Sequence, residues 1–120
     1  MSIPKIFKSE YRFCCILWDN QPVSSSVLVQ LCAEKLGWKK STTYTVIKRL
    51  SERGVLKTEN AVVTALITRE QVQEQESREF VDKTFSGSLP QFLAAFTRHQ
   101  SLSREEIDQI QSLIDNYREV

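Results

Sequence analysis

Apolar residues recur at helical spacing along most of this 120-residue chain, with one short stretch of strand-like pattern between residues 55 and 67. Tyr11, Cys14, Cys15 and Trp18 predict a first core-facing helix, opening at Ser9 as N-cap, with Arg12 three residues on, and closed by Asp19-Asn20-Gln21-Pro22. Ser24, Ser25 and Ser26 offer N-caps for a second helix, whose stripe is Val27, Leu28, Leu31, Cys32 and Leu36 and whose C-cap is Gly37. A third helix is predicted from Ser41, its N-cap, to Arg53, stopped by Gly54. Its inward face is Thr43, Val46, Ile47 and Leu50; its outward face carries Thr42, Tyr44, Thr45, Lys48, Arg49 and Glu52. The period then changes: the β-prone runs Val55–Thr58 and Ala61–Ile67 flank Glu59-Asn60, which predicts a short hairpin. Thr68 through Gln71 is a capping box that opens a long helix from Arg69 to Phe85, polar at first and apolar at Phe80, Val81 and Phe85. After Ser86-Gly87-Ser88, Pro90 fits the start of a strongly apolar helix. A second capping box, Ser103 through Glu106, opens the last one, with the stripe Ile107, Ile110, Leu113, Ile114 and Tyr117.

Three short helices followed by a hairpin are the order of a winged helix-turn-helix. The fold class expected is therefore mainly α: a winged helix over residues 1–68, then a C-terminal helical dimerisation region over 69–120. Charge sharpens this. Residues 1–58 carry ten basic against four acidic residues, and residues 59–120 carry six against eleven, although the whole chain is at only +1. A basic half joined to an acidic half points to a polyanion partner on one side. In such a fold the third helix enters the major groove of double-stranded DNA. The candidate DNA-binding residues are Lys39, Lys40, Ser41, Thr42, Thr43, Tyr44, Thr45, Lys48 and Arg49. Lys39, Lys40 and the amides around Ser41–Thr43 suit a phosphate, Lys48 and Arg49 reach phosphate or guanine, and Thr42, Tyr44 and Thr45 suit base edges or thymine methyls.

The tail holds more apolar groups than two short helices on a small acidic appendage would leave in water. Phe85, Leu89, Phe92, Leu93, Phe96, Ile107, Ile110, Leu113 and Ile114 are the candidate dimerisation residues. Burying one such side chain is worth about 1.5–3 kcal/mol, and a homodimer also matches a palindromic operator. An intramolecular bundle is the competing reading of the tail, and a winged-helix protein-interaction module without DNA binding is the competing function. Enzymes find no support: there is one histidine, His99, no glycine-rich phosphate loop and no readable nucleophile–base pair. Cys14, Cys15 and Cys32 show neither CxxC nor CxC spacing, so no metal or other cofactor is expected; burial of Cys14 or Cys15 and of Cys32 as small hydrophobes is the simplest reading, with a thiol sensor or soft-metal site as the alternative. No apolar run spans a membrane and the first residues lack a secretory pattern, so a cytoplasmic location is expected.

The stretches Ser9–Trp18, Trp38–Leu50, Arg53-Gly54-Val55-Leu56, Phe85–Leu89 and Leu102–Ile107 resemble the penicillinase-repressor family (BlaI/MecI/CopY), the Trp38–Leu56 stretch being the most specific. The resemblance implies homodimeric repressors on operators upstream of resistance or copper-export genes, with a regulatory protease or sensor as partner. Three features depart from the family pattern. Glu59-Asn60 stands where the family's wing has several more residues, including a glycine and an arginine near its tip. The bond Ala95-Phe96 matches the Asn-Phe bond cleaved in antibiotic-responsive members, and the C-terminal CxC pair of copper-responsive members has no counterpart.

Overall fold

A computed structural model describes residues 2–117. In chain order the elements are α1 (Lys8–Asn20), β1 (Val23–Ser24), α2 (Ser25–Leu36), α3 (Lys40–Glu52), β2 (Leu56–Glu59), β3 (Val62–Ala65), α4 (Arg69–Phe85), α5 (Leu89–Thr97) and α6 (Arg104–Asp115). They form two compact units, Met1–Ser77 and Arg78–Val120. The division falls inside α4 rather than at its start, because the first turns of that helix bury Val72 and bond through Gln75 to Ile3.

The first unit is a winged helix: three helices and a small antiparallel sheet of order β1-β3-β2. Its core is built from Phe13, Leu17, Leu28, Leu50, Leu56 and Val63, all essentially removed from water, with Cys14 and Cys32 among them. The core stripe of α1 is rotated from the expected one. Glu10, Phe13, Cys14, Ile16 and Leu17 are buried, whereas Tyr11, Cys15 and Trp18 lie half-buried at the margin. The helix also starts earlier than Ser9, with Phe7 as N-cap, because the Phe7 amide donates to the Glu10 carboxylate at 2.9 Å. In α2, Ser24 is the cap that acts, its hydroxyl accepting from the Val27 amide at 3.2 Å, and Val27 itself is exposed.

Both ends of α3 are set by backbone geometry. Gly37 adopts φ +69°, with its amide bonded to Ala33, and turns the chain from α2 toward α3. At the far end Gly54 sits at φ +80°, its amide donating to the Ser51 carbonyl and the Val55 amide to that of Leu50, at 3.1 and 2.9 Å. This pair of bonds is a Schellman motif, and the buried side chains of Leu50 and Val55 supply its apolar contact.

The hairpin forms with its turn one position later than expected. Glu59 pairs with Val62 and closes β2, so the loop is Asn60-Ala61, with φ +51° and +62°. Two-residue hairpin loops require that left-handed geometry to match strand twist. β1 was not anticipated; Val23 and Ser24 pair with Val63 and Val62 and make β3 the central strand.

In the second unit α5 opens at Ser88, whose hydroxyl accepts from the Gln91 amide at 3.2 Å, and α6 opens with the expected reciprocal box of Ser103 and Glu106. Phe80, Phe85, Phe92 and Phe96 pack as a chain of rings with centroids 5.5–6.0 Å apart. Within α5 and α6 no residue is fully buried.

Candidate nucleic-acid interface

Burial of Thr43, Val46, Ile47 and Leu50 fixes the rotation of α3, as their spacing predicts. The opposite face must then carry Ser41, Tyr44, Thr45 and Lys48, with Thr42 and Arg49 on its flank, and all of these are exposed. Lys39 and Lys40 are exposed beside them at the helix entrance.

The entrance of the helix differs from the expected one, and Thr43, read both as inward-facing and as a DNA-binding candidate, takes only the inward role. Lys39, not Ser41, is the N-cap, with extended backbone and no side-chain cap bond. The Thr43 amide already donates to the Lys39 carbonyl at 3.1 Å, so the first-turn amides available to an anion are those of Lys40, Ser41 and Thr42. Thr43 itself is 0% exposed. Its side chain therefore belongs to the core and is removed from the interface. Its hydroxyl makes no hydrogen bond of ordinary geometry among the described residues, and the Cys32 thiol, whose acidity it influences, is the polar group beside it.

The remaining surface has a defined chemistry. The Thr45 hydroxyl donates to the Ser41 carbonyl at 2.9 Å, so its proton is committed within the helix and it offers outward a lone pair and a methyl group. The Lys40 ammonium lies 6.0 Å from the Tyr44 ring centroid, within cation–π range. Lys48 and Arg49 project as exposed cations one turn on. The face thus combines cations and first-turn amides with hydroxyl, methyl and aromatic groups, the kinds of group that can meet phosphates and base edges.

The wing adds little reach. Its tip is the two-residue Asn60-Ala61 loop, and the Ala61 carbonyl accepts from the Ser25 amide at 2.9 Å, which fastens the tip to the start of α2. On β2, Lys57 pairs with Glu59 at 3.4 Å.

Arg53, at the C-cap of α3, and Glu10 are not among the candidate site residues read from the sequence. Glu10 is only 6% exposed and forms an ion pair with Arg53. The legible signal was a carboxylate in register with Phe13, Cys14 and Leu17, where a lone charge requires a partner.

Of the candidate dimerisation residues, Leu89, Phe96, Ile107, Leu113 and Ile114 are exposed, while Phe85, Phe92, Leu93 and Ile110 are half-buried. Phe85 and Phe92 are held in the ring chain of their own unit; Leu113 and Ile114 are 72% and 60% exposed and touch water over most of their surface. Among the described residues no three His, Cys, Asp or Glu side chains cluster as a metal site would require, and no helix is long and apolar enough to cross a membrane.

Comparison with known proteins agrees with this architecture. A family model described as penicillinase repressor matches residues 6–116. The chain is 22% identical to the methicillin resistance regulatory protein MecI of Staphylococcus aureus, over 92% of this chain and 94% of that one. It is likewise 22% identical to the penicillinase repressor of Bacillus licheniformis, over 97% and 94%. A Latilactobacillus sakei protein described as an uncharacterized 16.5 kDa protein in the ptsI 3′ region is 31% identical, over 92% of this chain and 78% of its own.

Proposed function

The chain belongs to the penicillinase repressor family, and from that premise we propose that it is a transcriptional repressor which binds an operator in double-stranded DNA as a homodimer. The observation that carries the reading is the exposed face of α3. Lys39, Lys40, Ser41, Thr42, Tyr44, Thr45, Lys48 and Arg49 occupy one accessible surface, rigidly backed by Val46, Ile47 and Leu50. In this reading the first-turn amides and Lys39 and Lys40 clamp a phosphate, Arg49 and Lys48 add phosphate or guanine contacts, and Tyr44 and Thr45 read base edges. Thr43 acts from behind, as core.

The exposed apolar residues of α5 and α6 support pairing of two copies, and a two-fold dimer calls for a palindromic operator. DNA reading falls to the winged helix and pairing to the helices after it. The protein acts in the cytoplasm, without catalysis, and a protease or sensor protein would release it from DNA. The folded-back wing favours a second reading, a winged-helix module that binds another protein instead of DNA.

Fluorescence anisotropy against the duplex upstream of its own coding sequence, repeated at several salt concentrations, separates the two. Binding that outlasts an unrelated duplex and falls steeply with salt is the expected result. No binding to any duplex at low salt overturns the repressor reading.

A further inference from the structure

The segment ahead of α1 is tied down at both ends by side chains from distant parts of the sequence. At one end the Gln75 side-chain amide on α4 accepts from the Ile3 amide at 2.7 Å and donates to the Ile3 carbonyl at 3.1 Å. Both backbone polar groups of one residue are thereby satisfied by a single side chain, as a neighbouring strand would do it. At the other end Arg53, the last residue of the α3 turn, donates to the Lys5 carbonyl at 2.7 Å and pairs with Glu10. The second oxygen of Glu10 accepts from the Phe7 amide at 2.9 Å, and the Arg53 guanidinium lies 5.5 Å from the Phe7 ring centroid. Between these anchors Pro4 restricts the backbone and Ile6 is buried in the core.

We propose that residues 3–7 are a strap that sets the position of α3 against the first turns of α4, with Gln75, Glu10 and Arg53 as positioning residues for DNA reading. Five residues span at most about 16–18 Å, so the strap has little slack once both ends are held. Arg53 is suited to the task for a second reason: a cation at a helix C-terminus is favoured by the exposed carbonyls there. The Glu10 carboxylate is withdrawn from water, so releasing Arg53 leaves a buried charge without its partner. Gln75 lies on α4, so the strap links the C-terminal turn of α3 to the first turns of that helix. The consequence for DNA rests on the repressor reading above; the strap itself does not.

Hydrogen exchange on the full-length protein tests the strap without DNA. The Gly54 and Val55 amides close α3 and report its C-terminal turn. Gln75→Ala should speed their exchange by about fivefold, a coupling typical of residues in one bonded network, and leave the amides in the middle of α1 unchanged. Arg53→Ala should speed them as well, and the double variant should exchange no faster than Arg53→Ala alone. Wild-type rates at Gly54 and Val55 in Gln75→Ala, or additive effects in the double variant, overturn the strap. Should Arg53→Ala fail to fold, Gln75→Ala decides by itself. With the upstream duplex, Gln75→Ala should weaken binding by about fivefold, and Arg53→Ala should weaken it while keeping the wild-type salt slope, because no phosphate contact is lost. A reduced slope in Arg53→Ala would make that guanidinium a phosphate contact and refute its positioning role. If the wild-type protein binds no duplex, the repressor reading fails while the exchange measurement still decides the strap.

Discussion

Replacing Thr43 by Val separates a core residue from a DNA contact more sharply than any other change in α3. The Thr43 side chain is fully buried, and its hydroxyl finds no hydrogen bond of ordinary geometry among the described residues. A buried polar group left in that state costs about 1–3 kcal/mol; the Cys32 thiol beside it returns part of this as a weak partner. Valine keeps the β-branched shape and has nearly the same helix propensity. Its extra methyl must fit against Cys32 in a closely packed core, which takes back some of the gain. The net expectation is a stabilisation of about 1 kcal/mol, or about 4–8 °C in the melting of a unit this size. Circular dichroism melts of wild type and Thr43→Val measure it, and anisotropy should give DNA affinities equal within about twofold. A folded Thr43→Val that no longer binds DNA would show that the hydroxyl faces the ligand, and the rotation assigned to α3 would then be wrong. A loss of more than about 1 kcal/mol would refute the expected stabilisation, whether from a strong hydroxyl partner or from overpacking of the added methyl.

Arg49→Ala should weaken binding to every duplex and lower the salt slope by about one, whereas Tyr44→Ala should cost about 1–3 kcal/mol of discrimination between operator and unrelated DNA; both are read by anisotropy, and an Arg49→Ala protein of unchanged affinity would refute the placement. Leu113→Lys should convert a dimer to a monomer in sedimentation without unfolding it, since Leu113 is exposed within its own chain and a cation suits the end of α6; a variant that still sediments as a dimer removes Leu113 from the interface. Burial first, then the neighbouring Cys15 and Glu10, pushes the Cys14 thiol up to about 12 from its ordinary 9.0, and burial also raises that of Cys32. The unfolded chain gives up these protons first, so their contribution to stability is complete below the ordinary thiol range and is lost as pH rises toward the folded value. Urea unfolding at about pH 8 and about pH 10 should show that loss, and Cys14→Ala should shrink it.

What the sequence made legible follows from how local each signal is. Capping boxes at Thr68 and Ser103 are complete within four residues, and both form as read: the Gln71 side chain accepts from the Thr68 amide at 2.8 Å, and Glu106 does the same for Ser103 at 3.0 Å. The inward face of α3 was legible because Thr43, Val46, Ile47 and Leu50 repeat at the helical period and a glycine follows. The entrance to α3 was not, since Ser41 looks like a cap, whereas the Gly37 turn, the stacking of Trp38 on Phe13 and the extended backbone at Lys39 start the helix before it. β1 was invisible for a related reason: two residues have no period, and they are strand only because β3 lies beside them. The Glu10–Arg53 pair joins positions 43 apart in sequence, and no windowed pattern contains both.

The turn between β2 and β3 holds stability that a single substitution could release. Ala61 holds a left-handed backbone, at a cost of about 1–2 kcal/mol for a residue with a β-carbon. Glycine there would relieve the strain, partly offset by the greater freedom it gives the unfolded chain. That single codon is therefore a reserve of stability, available to compensate a damaging substitution in α3. Inserting residues at the same point would lengthen the wing, but it would also displace the Ala61 carbonyl from the Ser25 amide. Lengthening the turn would thus exchange a stiff scaffold for a longer arm.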